Sequence, residues 1–164
     1  MLKNYRNKRT SHFHSYLSLT IASSLLLLSF GVSADHKIFK TGQGVVIYGI
    51  DAVAYFTMEK AIPGSKDISV EWQGDTWRFV NEENKSLFLA DPGKYVPQYG
   101  GYCANAVTLG RRHTETDPGA WKIVDGKLYL FKDKSNMSGW DASSSKSVRA
   151  NKKWEKAKAD LLAQ

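Results

Sequence analysis

Cys103 is the one cysteine in the 164 residues, and its neighbours make it the first candidate for chemistry. A lone cysteine excludes a disulfide framework, a four-cysteine zinc site, a CxxC redox pair and CxxCH haem attachment. Gly100-Gly101-Tyr102 precedes it, and Ala104-Asn105-Ala106-Val107 follows without a helix breaker before Gly110. That pattern predicts Cys103 at, or within one turn of, a helix start. A thiol there feels the positive end of the helix dipole and is enriched in thiolate, the form that attacks and that binds soft metals. The alternative is a buried, inert thiol, since free cysteine is among the most buried residue types. His113 lies ten residues on, in Gly110-Arg111-Arg112-His113-Thr114. A Cys103–His113 pair suits Cu(I), which accepts both thiolate and imidazole. The same two groups can make a thiolate–imidazolium pair, and a surface-loop histidine is the third option.

Other candidates are weaker. His36 with a nearby free amino terminus could chelate Cu(II) through nitrogen. Met58 and Met137 are soft ligands or packing residues. Asp51 and Asp91 read as caps and turn formers rather than paired acid and base. Arg111 and Arg112 could steady a thiolate or an anion. The many aromatic residues, among them Trp72, Trp77, Tyr99, Tyr129 and Trp154, suit a small core of large side chains. No Ser/His/Asp motif, Gly-rich phosphate loop or HExxH helix is present, which lowers hydrolase and nucleotide functions.

The formal charge of +7 looks like a nucleic-acid footprint until its placement is considered. Lys3, Arg6, Lys8 and Arg9 precede an apolar run through Leu28 and Phe30, which ends in Val32-Ser33-Ala34. A basic start, a short apolar run and a small-residue end describe a secretory signal peptide over residues 1–34. The serines and threonine inside that run fit poorly with a retained span, which wants ~20 predominantly apolar residues. Export removes four of the 23 basic residues and none of the 16 acids. The later cluster of Lys146, Arg149, Lys152, Lys153, Lys156 and Lys158 reads as a solvated helix face. The expectation is an exported protein with no nucleic-acid partner and no membrane attachment after cleavage.

The elements that must position Cys103 follow from patterning. Residues 35–44 read as a polar lead-in, and residues 45–164 as one domain. Ile68, Val70 and Trp72 alternate with polar residues, and Gly74-Asp75 turns the chain into Thr76–Val80. Ala120–Val124 and Lys127–Phe131 flank Asp125-Gly126, a strong hairpin signal. Asn81 offers an N-cap, with Glu82 and Glu83 in the first turn of a short helix. A final helix begins near Ser144, and no internal repeat is apparent. Two β-hairpins, short helices and a C-terminal helix without regular βαβ alternation predict an α+β fold.

Tyr48-Gly49-Ile50-Asp51-Ala52-Val53-Ala54-Tyr55-Phe56 is similar to the GYDPVAYF opening of exported YHS-domain proteins. The resemblance continues through Trp72–Phe79, Phe88–Tyr95, Pro97–Ala104, Asp117–Trp121 and Val124–Leu130. It implies a ββα-centred domain related to treble-clef metal-binding modules, and a home in the Gram-negative periplasm. Those modules use cysteines around the hairpin, whereas Tyr48–Asp51 and Asn81–Asn84 hold none. A structural zinc site needs four ligands, so the zinc function does not carry over. Some relatives have selenocysteine at the cysteine of the GGYCA motif, which implies chemistry at Cys103. Three functions remain in view. The leading one is a periplasmic metal-handling module holding a soft ion such as copper through Cys103 with His113 or with a ligand from another molecule, its partner being the ion itself or a periplasmic thiol or metal-transfer protein. The alternatives are a redox protein using the Cys103 thiolate with a partner thiol, and a non-catalytic partner-binding module with Cys103 buried.

Overall fold

The structure, a computed structural model, describes residues 44–111, 114–142 and 144–162. The expected signal peptide, His36, Arg112 and His113 lie outside the described residues. The fold is α+β, with two separate two-stranded antiparallel sheets and six α-helices among the described residues. No described helix is long and apolar enough to cross a membrane.

Strands β1 (Ser65–Trp72) and β2 (Asp75–Phe79) form the first hairpin, and β3 (Asp117–Val124) and β4 (Lys127–Phe131) the second. Both turns place two consecutive residues at positive φ, Gln73-Gly74 at 52° and 79° and Asp125-Gly126 at 51° and 70°. Two positive φ values in a two-residue turn match the right-handed twist of the flanking strands. The first turn therefore centres on Gln73-Gly74, and Asp75 opens β2, one residue from the expected placement. The expected N-cap holds. Asn81 accepts from the Asn84 amide at 2.7 Å and starts α2 (Glu82–Ala90). The other helices are α1 (Ala54–Thr57), α3 (Pro92–Tyr95), α4 (Ala104–Thr108), α5 (Lys134–Ser138) and α6 (Ser145–Leu162).

The structure corrects the reading that the chain has no internal repeat. Adding 52 to the residue number carries β1 onto β3, β2 onto β4 and the first residue of α2 onto that of α5. Strand registers obey the same offset: Ser65↔Phe79 and Val70↔Trp77 become Asp117↔Phe131 and Lys122↔Tyr129. So does the break in each register, between Ser65 and Ser69 and between Asp117 and Trp121. Ahead of each hairpin lies a tight 3-10 turn, Val46–Gly49 and Gln98–Gly101, with positive φ at Ile47-Tyr48 and at Tyr99-Gly100. Each turn is followed by a tie to the loop before the hairpin. The Asp51 amide donates to Ile62 O at 2.9 Å, and the Cys103 amide to Thr114 O at 3.2 Å.

Packing repeats too. Phe88 sits 4.7 Å from Trp77 and 5.3 Å from Phe79, ring centre to ring centre. Trp140 sits 4.6 Å from Tyr129 and 5.3 Å from Phe131. Each repeat thus clamps an aromatic against the second strand of its hairpin, Phe88 from within α2 and Trp140 from just beyond the end of α5. The two cores share a wall. Leu128 and Leu130 of β4 join the first core, while Tyr129 and Phe131 on its opposite face join the second. Side chains alternate across a strand, so β4 is apolar on both faces.

Candidate functional site

Cys103 stands where the sequence places it, at a helix start, as the N-cap of α4. Its carbonyl accepts from the Val107 amide at 3.0 Å, and its side chain makes no capping hydrogen bond. The residue is 1% exposed and packs in the second core with Tyr102, Ala104, Val107 and Phe131. Two features weaken the activation expected from the sequence. A helix dipole sums over aligned peptides, and α4 has only five residues. The sulfur is also enclosed by apolar side chains, out of reach of solvent.

The expected Cys103–His113 pair cannot be placed, because His113 lies outside the described residues. Among the described residues, no group of three or more His, Cys, Asp and Glu stands close enough together to hold a metal ion. Of the two methionines raised as soft ligands, Met58 is exposed and Met137 packs against the second core.

The repeat offset explains position 103 through its counterpart, Asp51. Asp51 is fully buried. Its Oδ1 accepts from the amides of Val53 at 2.8 Å and Ala54 at 3.2 Å, capping α1 as the sequence suggests. Its Oδ2 accepts from the Val80 amide at 2.9 Å and Asn84 Nδ2 at 2.7 Å. One carboxylate therefore joins the segment after the first 3-10 turn to the start of α2. Burial of a charged group is tolerable when its lone pairs are filled in this way.

In the second repeat the carboxylate has moved. Cys103 replaces Asp51, and Asp133 replaces Asn81 as the helix N-cap. Asn136, the counterpart of Asn84, turns its Nδ2 to both Asp133 oxygens at 2.9 Å, and its amide donates to Asp133 Oδ1 at 2.7 Å. Asn136 Oδ1 accepts from Asn105 Nδ2 at 3.0 Å, which ties α5 to α4. The Asn136 backbone bond, then its side-chain bonds, hold the Asp133 carboxyl below the usual range. Asp133 and Asn105 thus close the second junction, and Cys103 is left to packing.

A cleft that the sequence alone does not reveal lies between α4 and α6. The buried face of α6 carries Ser147, Ala150 and Ala157. The neighbouring stripe carries Lys146, Arg149, Lys153 and Lys156, all exposed. Lys153 Nζ donates to Thr108 O at 2.6 Å, at the C-terminal end of α4, where cations complement unpaired carbonyls. Two clefts meet at Lys153. One is lined by Leu109, Lys146 and Arg149 among others. The other is a pocket of about 140 Å³ between Val107, Gly110 and Arg111 on one side and Trp154, Lys156 and Ala157 on the other. Cys103 lines neither cleft. The sequence did display the cations; only the docking of α6 on α4 shows that they border a cleft.

Two buried tyrosines join distant parts of this frame. Tyr55 Oη donates to Pro118 O at 3.0 Å, and Tyr99 Oη to Asn151 Oδ1 at 2.8 Å. Burial raises both phenols well above their ordinary range, helped by the Asp117 charge at Tyr55 and by Tyr129 at Tyr99. Comparison of the chain with protein-family models, curated proteins and solved structures gives no match.

Proposed function

We propose that this chain is an exported, periplasmic protein of the YHS-domain type that acts as a non-catalytic partner-binding module. Cys103 serves it as a packing residue. One observation carries this reading: Cys103 lies in the second core, 1% exposed. It occupies the position where the first repeat uses Asp51 for a structural purpose. The metal-handling and redox readings both require the sulfur to meet an ion or a partner thiol. A thiol this enclosed meets neither without opening of the fold.

Thiol labelling tests the reading. The native protein should react with a maleimide only slowly, and one thiol should become reactive in denaturant. Rapid labelling of the native protein would overturn the proposal. Cu(I) titration against a competing chelator separates the metal reading: Cys103→Ala should leave any affinity unchanged. A loss of affinity in that variant restores metal handling as the function.

A further inference from the structure

We propose that the cleft between α4 and α6 docks an acidic segment of another protein, with one apolar side chain of that segment entering the pocket beside Trp154. This inference rests on the partner-binding reading and supplies the chemistry of the partner. Five cations, Arg111, Lys146, Arg149, Lys153 and Lys156, border the two clefts. None of them forms an ion pair among the described residues. A cluster of cations that form no ion pairs complements an anionic ligand and steers its approach.

The apolar part of the surface narrows the ligand class. The pocket of about 140 Å³ has Val107, Trp154 and Ala157 in its lining. A cavity of ~150 Å³ accepts a benzene ring, so this one fits a single phenyl or branched aliphatic group. Leu109, 61% exposed, stands beside it in the adjoining cleft. A recessed apolar pocket ringed by cations selects a ligand with a protruding apolar side chain among carboxylates. A lipid headgroup surface and a sugar–phosphate backbone both lack that protrusion. The chain's own first 43 residues are poor occupants, since Lys3, Arg6, Lys8, Arg9, Lys37 and Lys40 stand there against Asp35 alone.

Fluorescence anisotropy with a labelled decapeptide of Asp and Glu around one phenylalanine tests the proposal. The peptide should bind with an affinity that falls as salt is added. Replacing its phenylalanine by alanine, or combining Arg149→Glu with Lys156→Glu in the protein, should each weaken binding by at least about tenfold. Lys153 is left intact because it also holds α4. The thermal transition of the double variant is compared with the parent, and Arg149→Gln with Lys156→Gln replaces it if the fold is lost. Binding indifferent to these substitutions overturns the proposal. So does preferential binding of phosphatidylglycerol vesicles or oligothymidine that the same variants abolish. If docking fails while Cys103 still resists labelling, the acidic partner falls and the partner-binding reading stands. Rapid native labelling removes that reading and leaves the cleft result to stand on its own.

Discussion

Asp51 and Cys103 occupy one position in two copies of the same local structure, yet only Asp51 carries structural hydrogen bonds through its side chain. Asp51→Ala would strand four donors, those of Val53, Ala54, Val80 and Asn84. The expected loss is ~3–5 kcal/mol, the range for breaking a buried charged network. Asp51→Asn keeps one acceptor oxygen and turns an NH₂ group on the remaining donors, so it should cost about 1–3 kcal/mol. Urea denaturation of both variants measures the order. Equal stability of Asp51→Ala and the parent would show that the carboxylate does not hold α2. Cys103→Ala, by contrast, removes only packing and should cost about 1–2 kcal/mol. The capping role of Asp51 was legible, because an Asp before a short apolar helix is an ordinary N-cap signal. Its second pair of bonds was not, since Val80 and Asn84 come near only through the fold.

At the scale of elements, both hairpins, the Asn81 cap and the last helix were legible because each is set by neighbours within a few residues. The repeat was not. It preserves Gly49/Gly101, Gly74/Gly126, Phe79/Phe131 and Asn84/Asn136, but few other identities. What it conserves is backbone geometry and aromatic placement, which differing residues satisfy: Gln73 and Asp125 at the turn, Trp77 and Tyr129 in the strand. The copies also differ where the chain is tight. A Cβ on Gly64 would lie 2.6 Å from both the Arg78 carbonyl oxygen and the Phe79 amide nitrogen. These are backbone atoms of β2 and cannot swing aside. Gly64→Ala should therefore loosen the start of the first hairpin and lower stability by about 2 kcal/mol or more, in the range of other overpacking changes. Thermal melts check it, and an unchanged transition would mean that β1 shifts at no cost. Asp133 makes the matching case in the second repeat. Its carboxyl is depressed by Asn136, so its contribution is present above the ordinary value of 3.8 and is lost as pH falls through the depressed one. Acid titration followed by amide exchange should show α5 opening in that window, and Asp133→Asn should remove the pH dependence.

The whole molecule is held by contacts that cross its parts, and the clearest of them are phenols. Tyr55 ties α1 of the first repeat to β3 of the second, and Tyr99 ties the second 3-10 turn to α6. The Tyr102 phenol is likewise raised, by burial and then by the Asp75 charge. All three titrate higher in the folded chain than the ordinary 10.0. The folded protein therefore binds more protons than the unfolded chain once pH exceeds that value. Stability falls with pH wherever the native state holds the extra protons. Their contribution is complete below pH 10 and is lost progressively above it, as ionised phenolate accumulates in the unfolded chain. Denaturant midpoints measured from neutral pH to about pH 11 should decline on that alkaline limb, beyond the ordinary tyrosine value. Tyr55→Phe and Tyr99→Phe should each lower stability at neutral pH by about 1 kcal/mol, the worth of one hydrogen bond. Each should also flatten the alkaline decline, because a phenyl ring has no proton to lose. A variant that is weaker at neutral pH yet keeps the full alkaline slope would show that its phenol is not buried in solution. The bridge that it makes between the parts of the fold would then be lost with it.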